Sequence, residues 1–99
     1  MTDLSESERH HVMRVVFCIE SAMRRVMHPE KVNLAEFGTL VPHLHWHIIA
    51  RFHDDAYFPE STWSLKVRQT PEDVLIARRL DAEALVQQLP KILSKDFCD

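Results

Sequence analysis

Apolar residues recur along the first quarter of the chain at the spacing of one helical face. Val12, Val15, Val16, Ile19, Ala22, Met23 and Val26 form the stripe, while Arg14, Glu20, Arg24 and Arg25 fall on other faces. Ser5 and Glu8 stand at the S-x-x-E spacing of a capping box, and Pro29 follows closely enough to end the helix. The pattern predicts a helix over residues 5–27. Residues 31–37 switch to a period of two and predict a strand, with Val32, Leu34 and Glu36 on one side and Asn33, Ala35 and Phe37 on the other. Gly38, Thr39 and Pro42 mark a short connection. A second strand is predicted over 43–52. Leu44, Trp46, Ile48, Ala50 and Phe52 make a continuous apolar face for the helix, and His43, His45, His47, Ile49 and Arg51 point the other way.

Residues 53–64 read as a loop, and Tyr57, Phe58 and Trp63 suit packing or a dimer contact there better than substrate stacking. His53, Asp54 and Asp55 read equally as a pocket rim or as a solvated turn. Thr70-Pro71-Glu72-Asp73 is a helix start: a cap, a proline at the first helical position, then acids at the positive end of the dipole. Helical sequence continues to about Ser94; Asp81 could cap a second helix, and Pro90 is expected to kink or break the last turns. These elements describe a small α+β domain spanning residues 1–99, with an antiparallel sheet packed on a long N-terminal helix and a helical C-terminal segment.

Composition narrows the function classes. The 99 residues carry 12 Lys+Arg against 15 Asp+Glu, a net charge of −3, so the basic excess usual for a nucleic-acid-binding domain is missing. The doublets Arg24-Arg25 and Arg78-Arg79 read as solvated helix faces. A single glycine excludes a Gly-rich phosphate loop. No apolar run approaches the roughly 18 residues of a membrane span, and the acidic, polar N-terminus is unlike a signal peptide. Cys18 and Cys98 lie far apart, which suggests neither a disulfide framework nor a zinc ribbon; Cys18 reads as a buried thiol and the cytoplasm as the compartment.

The chemistry of the chain concentrates in His43, His45 and His47. A lone histidine on a strand is usually structural, but three in strict alternation would stack imidazoles about 6.5–7 Å apart on one face. Three readings follow from the residues. The imidazoles could hold zinc, with His-x-His supplying two nitrogens and His47 or His53 completing the set. A neutral imidazole could act as a nucleophile toward phosphorus, with its neighbours orienting it and protonating a leaving group. Or the sheet face could simply be polar.

The string His43-Leu44-His45-Trp46-His47-Ile48-Ile49 resembles the signature of the histidine triad (HIT) superfamily, His-φ-His-φ-His-φ-φ with φ apolar, at every position. The order of a long helix, a strand carrying Asn33, Gly38, and then the histidine strand is similar as well. Pro42 and the run from Ala50-Arg51-Phe52-His53-Asp54-Asp55 through Phe58-Pro59 to Trp63 resemble the bacterial HIT and diadenosine tetraphosphate hydrolase branch, with the likeness strongest over residues 5–64.

This resemblance implies that His45 attacks the phosphorus bearing a nucleoside. It implies that His47 stabilises or protonates the leaving group, and that His43 orients the nucleophile and binds phosphate. Asn33 would face ribose and phosphate, and Thr39 would stand in for a phosphate-binding hydroxyl that the family places just before the triad. The implied enzyme is a hydrolase or nucleotidyl transferase acting on nucleoside phosphoramidates or dinucleoside polyphosphates. No metal is required for the covalent step, although Mg²⁺ can arrive with a polyphosphate substrate. The family's strands ahead of the long helix have no counterpart here, so a homodimer that covers the open sheet edges is expected. The alternative is a non-catalytic nucleotide-binding or dimeric interaction module that has lost its nucleoside pocket. Neither nucleic acid nor membrane is an expected partner.

Overall fold

The computed structural model describes residues 1–36 and 43–94. Four elements follow in order: α1 (Glu6–Met27), β1 (Lys31–Ala35), β2 (His47–Arg51) and α2 (Glu72–Leu93). The strands pair antiparallel, with Lys31 opposite Arg51, Val32 opposite Ala50, Asn33 opposite Ile49, Leu34 opposite Ile48 and Ala35 opposite His47. The described residues therefore form the expected α+β arrangement of two helices and an antiparallel sheet.

Helix α1 begins as its sequence predicts. Ser5 is the N-cap; its hydroxyl accepts from the Glu8 N–H at 3.2 Å, and the Glu8 carboxylate accepts from the Ser5 N–H at 2.7 Å. The bond from the Ser5 backbone, with a smaller contribution from its side chain, lowers the Glu8 pKa below the usual carboxylate range. The helix ends at His28, which adopts the left-handed conformation with φ 50°. A side chain with a Cβ is strained there, and glycine is favoured at this position. His28→Gly is expected to stabilise the fold by about 0.5–1 kcal/mol, read as a raised denaturation midpoint at unchanged m value; a lower midpoint would refute it.

The core lies where α1, α2 and one face of the sheet meet. Ala22, Met23 and Leu85 are buried at its centre, with Val26, Met27, Val32, Ile48, Ala50, Leu89 and Ile92 packed around them. Ile48 and Ala50 thus face the helices as the alternation predicts. Cys18 is buried too, but it is disulfide-bonded, which corrects its reading as a thiol. The chain's other cysteine, Cys98, lies outside the described residues.

Several expectations change. The second strand is shorter than residues 43–52: β2 starts at His47, and residues 43–46 are not in a strand. The register explains this, because Ala35, the last residue of β1, already pairs with His47. Leu44 accordingly leaves the apolar face and is 43% exposed. The first strand ends at Ala35 rather than 37, and Phe37 lies outside the described residues. Thr70 does not cap α2: its hydroxyl donates to the Asp54 carbonyl, Pro71 occupies the N-cap position, and the helix starts at Glu72. Asp81 starts no second helix, and α2 runs through Pro90 to Leu93. Pro90 forgoes only the bond its N–H would have made to the carbonyl of Val86, a residue that is 63% exposed. No helix among the described residues is long and apolar enough to cross a membrane.

Candidate active site

The alternation of β2 sends His47, Ile49 and Arg51 to the sheet face away from the helices, and the register adds Ala35, Asn33 and Lys31 to that face. His45 reaches the same neighbourhood from outside the strand. Its ring meets that of His47 edge to face, with centroids 5.4 Å apart. The His45 Nδ1 lies 2.8 Å from the His43 carbonyl oxygen. A carbonyl only accepts, so Nδ1 carries the proton and the lone pair of the neutral ring sits on Nε2. That is the atom a nucleophilic imidazole would use. His43 itself is exposed, and what it gives His45 is its backbone carbonyl. His47 also meets Trp63, again edge to face, with centroids 5.2 Å apart. The post-strand loop thus returns to touch the histidine cluster.

Asn33 is placed on the histidine face, but its amide oxygen is engaged: Oδ1 accepts from Arg51 Nη1 at 2.6 Å. Thr39 lies outside the described residues, and its expected phosphate contact with it. Among the described residues no group of three His, Cys, Asp or Glu side chains is arranged to hold a metal ion.

Arg51 and Asp55 are residues whose importance the sequence pattern understated. Arg51 is only 3% exposed. Its Nε and Nη2 donate to the two Asp55 carboxylate oxygens at 2.9 and 3.2 Å, and Nη2 also donates to the Glu60 carbonyl. The Phe58 ring stands 5.7 Å from the guanidinium carbon. Asp55 in turn accepts from the N–H groups of Phe52, Tyr57 and Phe58 at 3.1, 3.0 and 2.7 Å. Burial alone would raise the Asp55 pKa, but the Arg51 bonds and the three backbone donors together outweigh it and hold the carboxyl far below its ordinary range. The solvated-turn reading thus fails for Asp55, which organises the loop. Asp54 pairs with Arg78, whose guanidinium also lies 3.8 Å from the Phe52 ring centroid, so Arg78 is not a solvated helix residue either. His53 is exposed, with its ring Nδ1 3.9 Å from Glu30 and its backbone N–H bonded to the same carboxylate. A cavity of about 980 Å³ opens beside this loop, lined by Arg51, Tyr57, Lys66, Arg68 and Arg79 among others. None of the three histidines lines it, so it does not mark the triad.

Residues 1–54 match the model of the HIT domain, and the chain belongs to that family. Among solved structures it is similar to a histidine triad protein from Bradyrhizobium japonicum, with a TM-score of 0.67 and 28% identity over 89% of this chain. A histidine triad protein from Marinobacter aquaeolei VT8 shares the fold, with a TM-score of 0.65 and 22% identity over 89% of this chain. The chain spans 64% and 65% of the lengths of these two proteins. No curated protein matches the chain.

Proposed function

We propose that this chain is a nucleotide hydrolase or nucleotidyl transferase that works through a covalent nucleotidyl group on His45. The observation that carries the reading is the hydrogen bond from His45 Nδ1 to the His43 carbonyl, which puts the lone pair of the neutral ring on Nε2, the atom a nucleophilic imidazole uses. In the first step Nε2 attacks the phosphorus that bears the nucleoside. A nitrogen–phosphorus bond forms, and the bond from phosphorus to the leaving group breaks. His47, edge to face with His45, is the group near enough to hand a proton to the departing nitrogen or oxygen. Water then attacks the same phosphorus and gives a proton back to His47; the nitrogen–phosphorus bond breaks, the nucleoside monophosphate leaves and His45 returns to its neutral form. The substrates that suit this chemistry are nucleoside phosphoramidates and dinucleoside polyphosphates. The residues supply nucleophile and acid themselves, so no metal is written into the step; Mg²⁺ would enter only with a polyphosphate.

The test is a rapid quench of the protein with adenosine 5′-phosphoramidate, followed by intact mass. One adenylyl group is expected on the wild type, labile in acid as a phosphorus–nitrogen bond is, and none on His45→Ala. A folded wild type that neither takes the group nor releases AMP would overturn the catalytic reading in favour of a nucleotide-binding module.

A further inference from the structure

We infer that Arg51 is a positioning residue, which locks the Asn33 side-chain amide so that it presents N–H donors to a phosphate or ribose oxygen of the nucleotide. The inference rests on the proposed binding of a nucleotide at the histidine face. An asparagine amide is ambivalent, because one end accepts and the other donates, and the two ends differ little in shape. A guanidinium removes the ambivalence: all its polar hydrogens donate and it has no acceptor. Since Arg51 Nη1 sits 2.6 Å from the Asn33 side chain, that contact must be made by Oδ1. The Nδ2 donors are thereby turned away from Arg51. Asn33 shares the sheet face with His47, two register positions along from the Ala35–His47 pair, where alternation returns to the same side.

The lock is rigid because Arg51 cannot swivel. Four of its N–H groups are committed: one to Asn33, two to Asp55 and one to the Glu60 carbonyl. Asp55 is itself pinned by the backbone N–H groups of Phe52, Tyr57 and Phe58. Arg68 ties the same loop from outside, donating to the carbonyls of Asp55 and Phe58. The order of restraint therefore runs from the loop to Asp55, to Arg51, to the amide of Asn33. A lysine at position 51 could satisfy one or two of these acceptors, but it cannot hold a planar fork between Asp55 and Asn33.

Asn33 is the only asparagine of the chain, so selective ¹⁵N-asparagine labelling gives one pair of side-chain N–H signals to follow. Adding AMP to the wild type is expected to shift that pair. In Arg51→Lys the shift should be lost, and KM for adenosine 5′-phosphoramidate should rise about tenfold or more with kcat much less changed, as loss of a charge-assisted hydrogen bond implies. Asn33→Asp is the companion variant that keeps the fold. Its carboxylate still accepts from Arg51, so the melting temperature should be at or above that of the wild type, yet the donors are replaced by a charge that repels phosphate. Its KM should rise at least as much as that of Arg51→Lys. An Asn33→Asp protein with wild-type KM would overturn the inference. So would a wild type that takes the adenylyl group on His45 while its Asn33 signals ignore AMP. A wild type whose Asn33 signals move with AMP but whose His45 takes no adenylyl group would uphold this inference and sink the catalytic reading alone.

Discussion

Replacing His45 with alanine is expected to lower turnover of a nucleoside phosphoramidate by about 10⁴-fold or more, with the fold intact. Removing the nucleophile of a covalent route eliminates the route itself rather than slowing it. The other two histidines should behave differently from it and from one another. His47→Ala removes an acid or a positioning contact, an effect on the order of 10²–10⁴-fold. His43→Ala should cost far less, about tenfold, because His43 holds the His45 tautomer through its main-chain carbonyl and alanine keeps that carbonyl. Its ring is exposed and contributes only what it adds on the solvent side. Steady-state kinetics of the three variants decide the matter. A ranking in which His43→Ala is as damaging as His45→Ala would mean that the exposed ring, not the carbonyl, does the work assigned here to the backbone.

That ranking could not be read from the sequence. Three histidines at alternate positions look equivalent if they share one strand, and the alternation over 43–52 implies that they do. Pairing sets the strand instead. Hydrogen-bond partners on β1 reach only as far as Ala35 opposite His47, so the first two histidines lie outside the ladder and the middle one turns its Nδ1 back onto the chain. Periodicity reports which residues would share a face if a strand formed; it does not report whether a partner strand is there. The same limit explains Leu44, which the pattern sends to the core and the structure leaves 43% exposed.

Local signals did better where the physics is local. The capping box of Ser5 and Glu8 forms as its spacing implies, because all its partners lie within one turn. Thr70 shows how tertiary contacts override such a signal. Its hydroxyl is drawn to the Asp54 carbonyl 16 residues away, and α2 begins without a side-chain cap. Arg51 and Asp55 were legible only in part. The alternation places Arg51 on the histidine face, and the four-residue spacing to Asp55 is present in the sequence, but nothing local says that the loop folds back to bury the guanidinium. The loop does so because a buried arginine needs acceptors for its N–H groups, and residues 55 and 60 supply them.

Asp55→Ala is accordingly the substitution expected to damage the fold most, by about 3 kcal/mol or more. It strips the main counter-charge from a guanidinium that is 4% exposed, and breaking one side of a buried pair typically costs about 3–5 kcal/mol. Asp55 itself is 19% exposed, which places the expectation toward the lower end. For a domain of this length that loss lowers the melting temperature by about 12 °C or more. The pair also makes stability depend on acid, and the direction follows from linkage. The folded carboxyl holds its proton more weakly than the unfolded one, whose pKa is about 4. Its contribution is then complete above about pH 5 and is lost as pH falls through 4 toward the lower folded value. Asp55→Asn keeps the shape but cannot titrate, so its stability should fall less steeply than that of the wild type between about pH 5 and pH 2. Urea midpoints measured across that range on both proteins test this. Parallel curves would mean that Asp55 is not the carboxylate whose charge secures the loop. A wild-type curve that converges on the variant's as pH drops would identify Asp55 as the group whose ionised form stabilises the folded loop, because over this range the unfolded chain takes up the proton while the folded carboxylate stays charged.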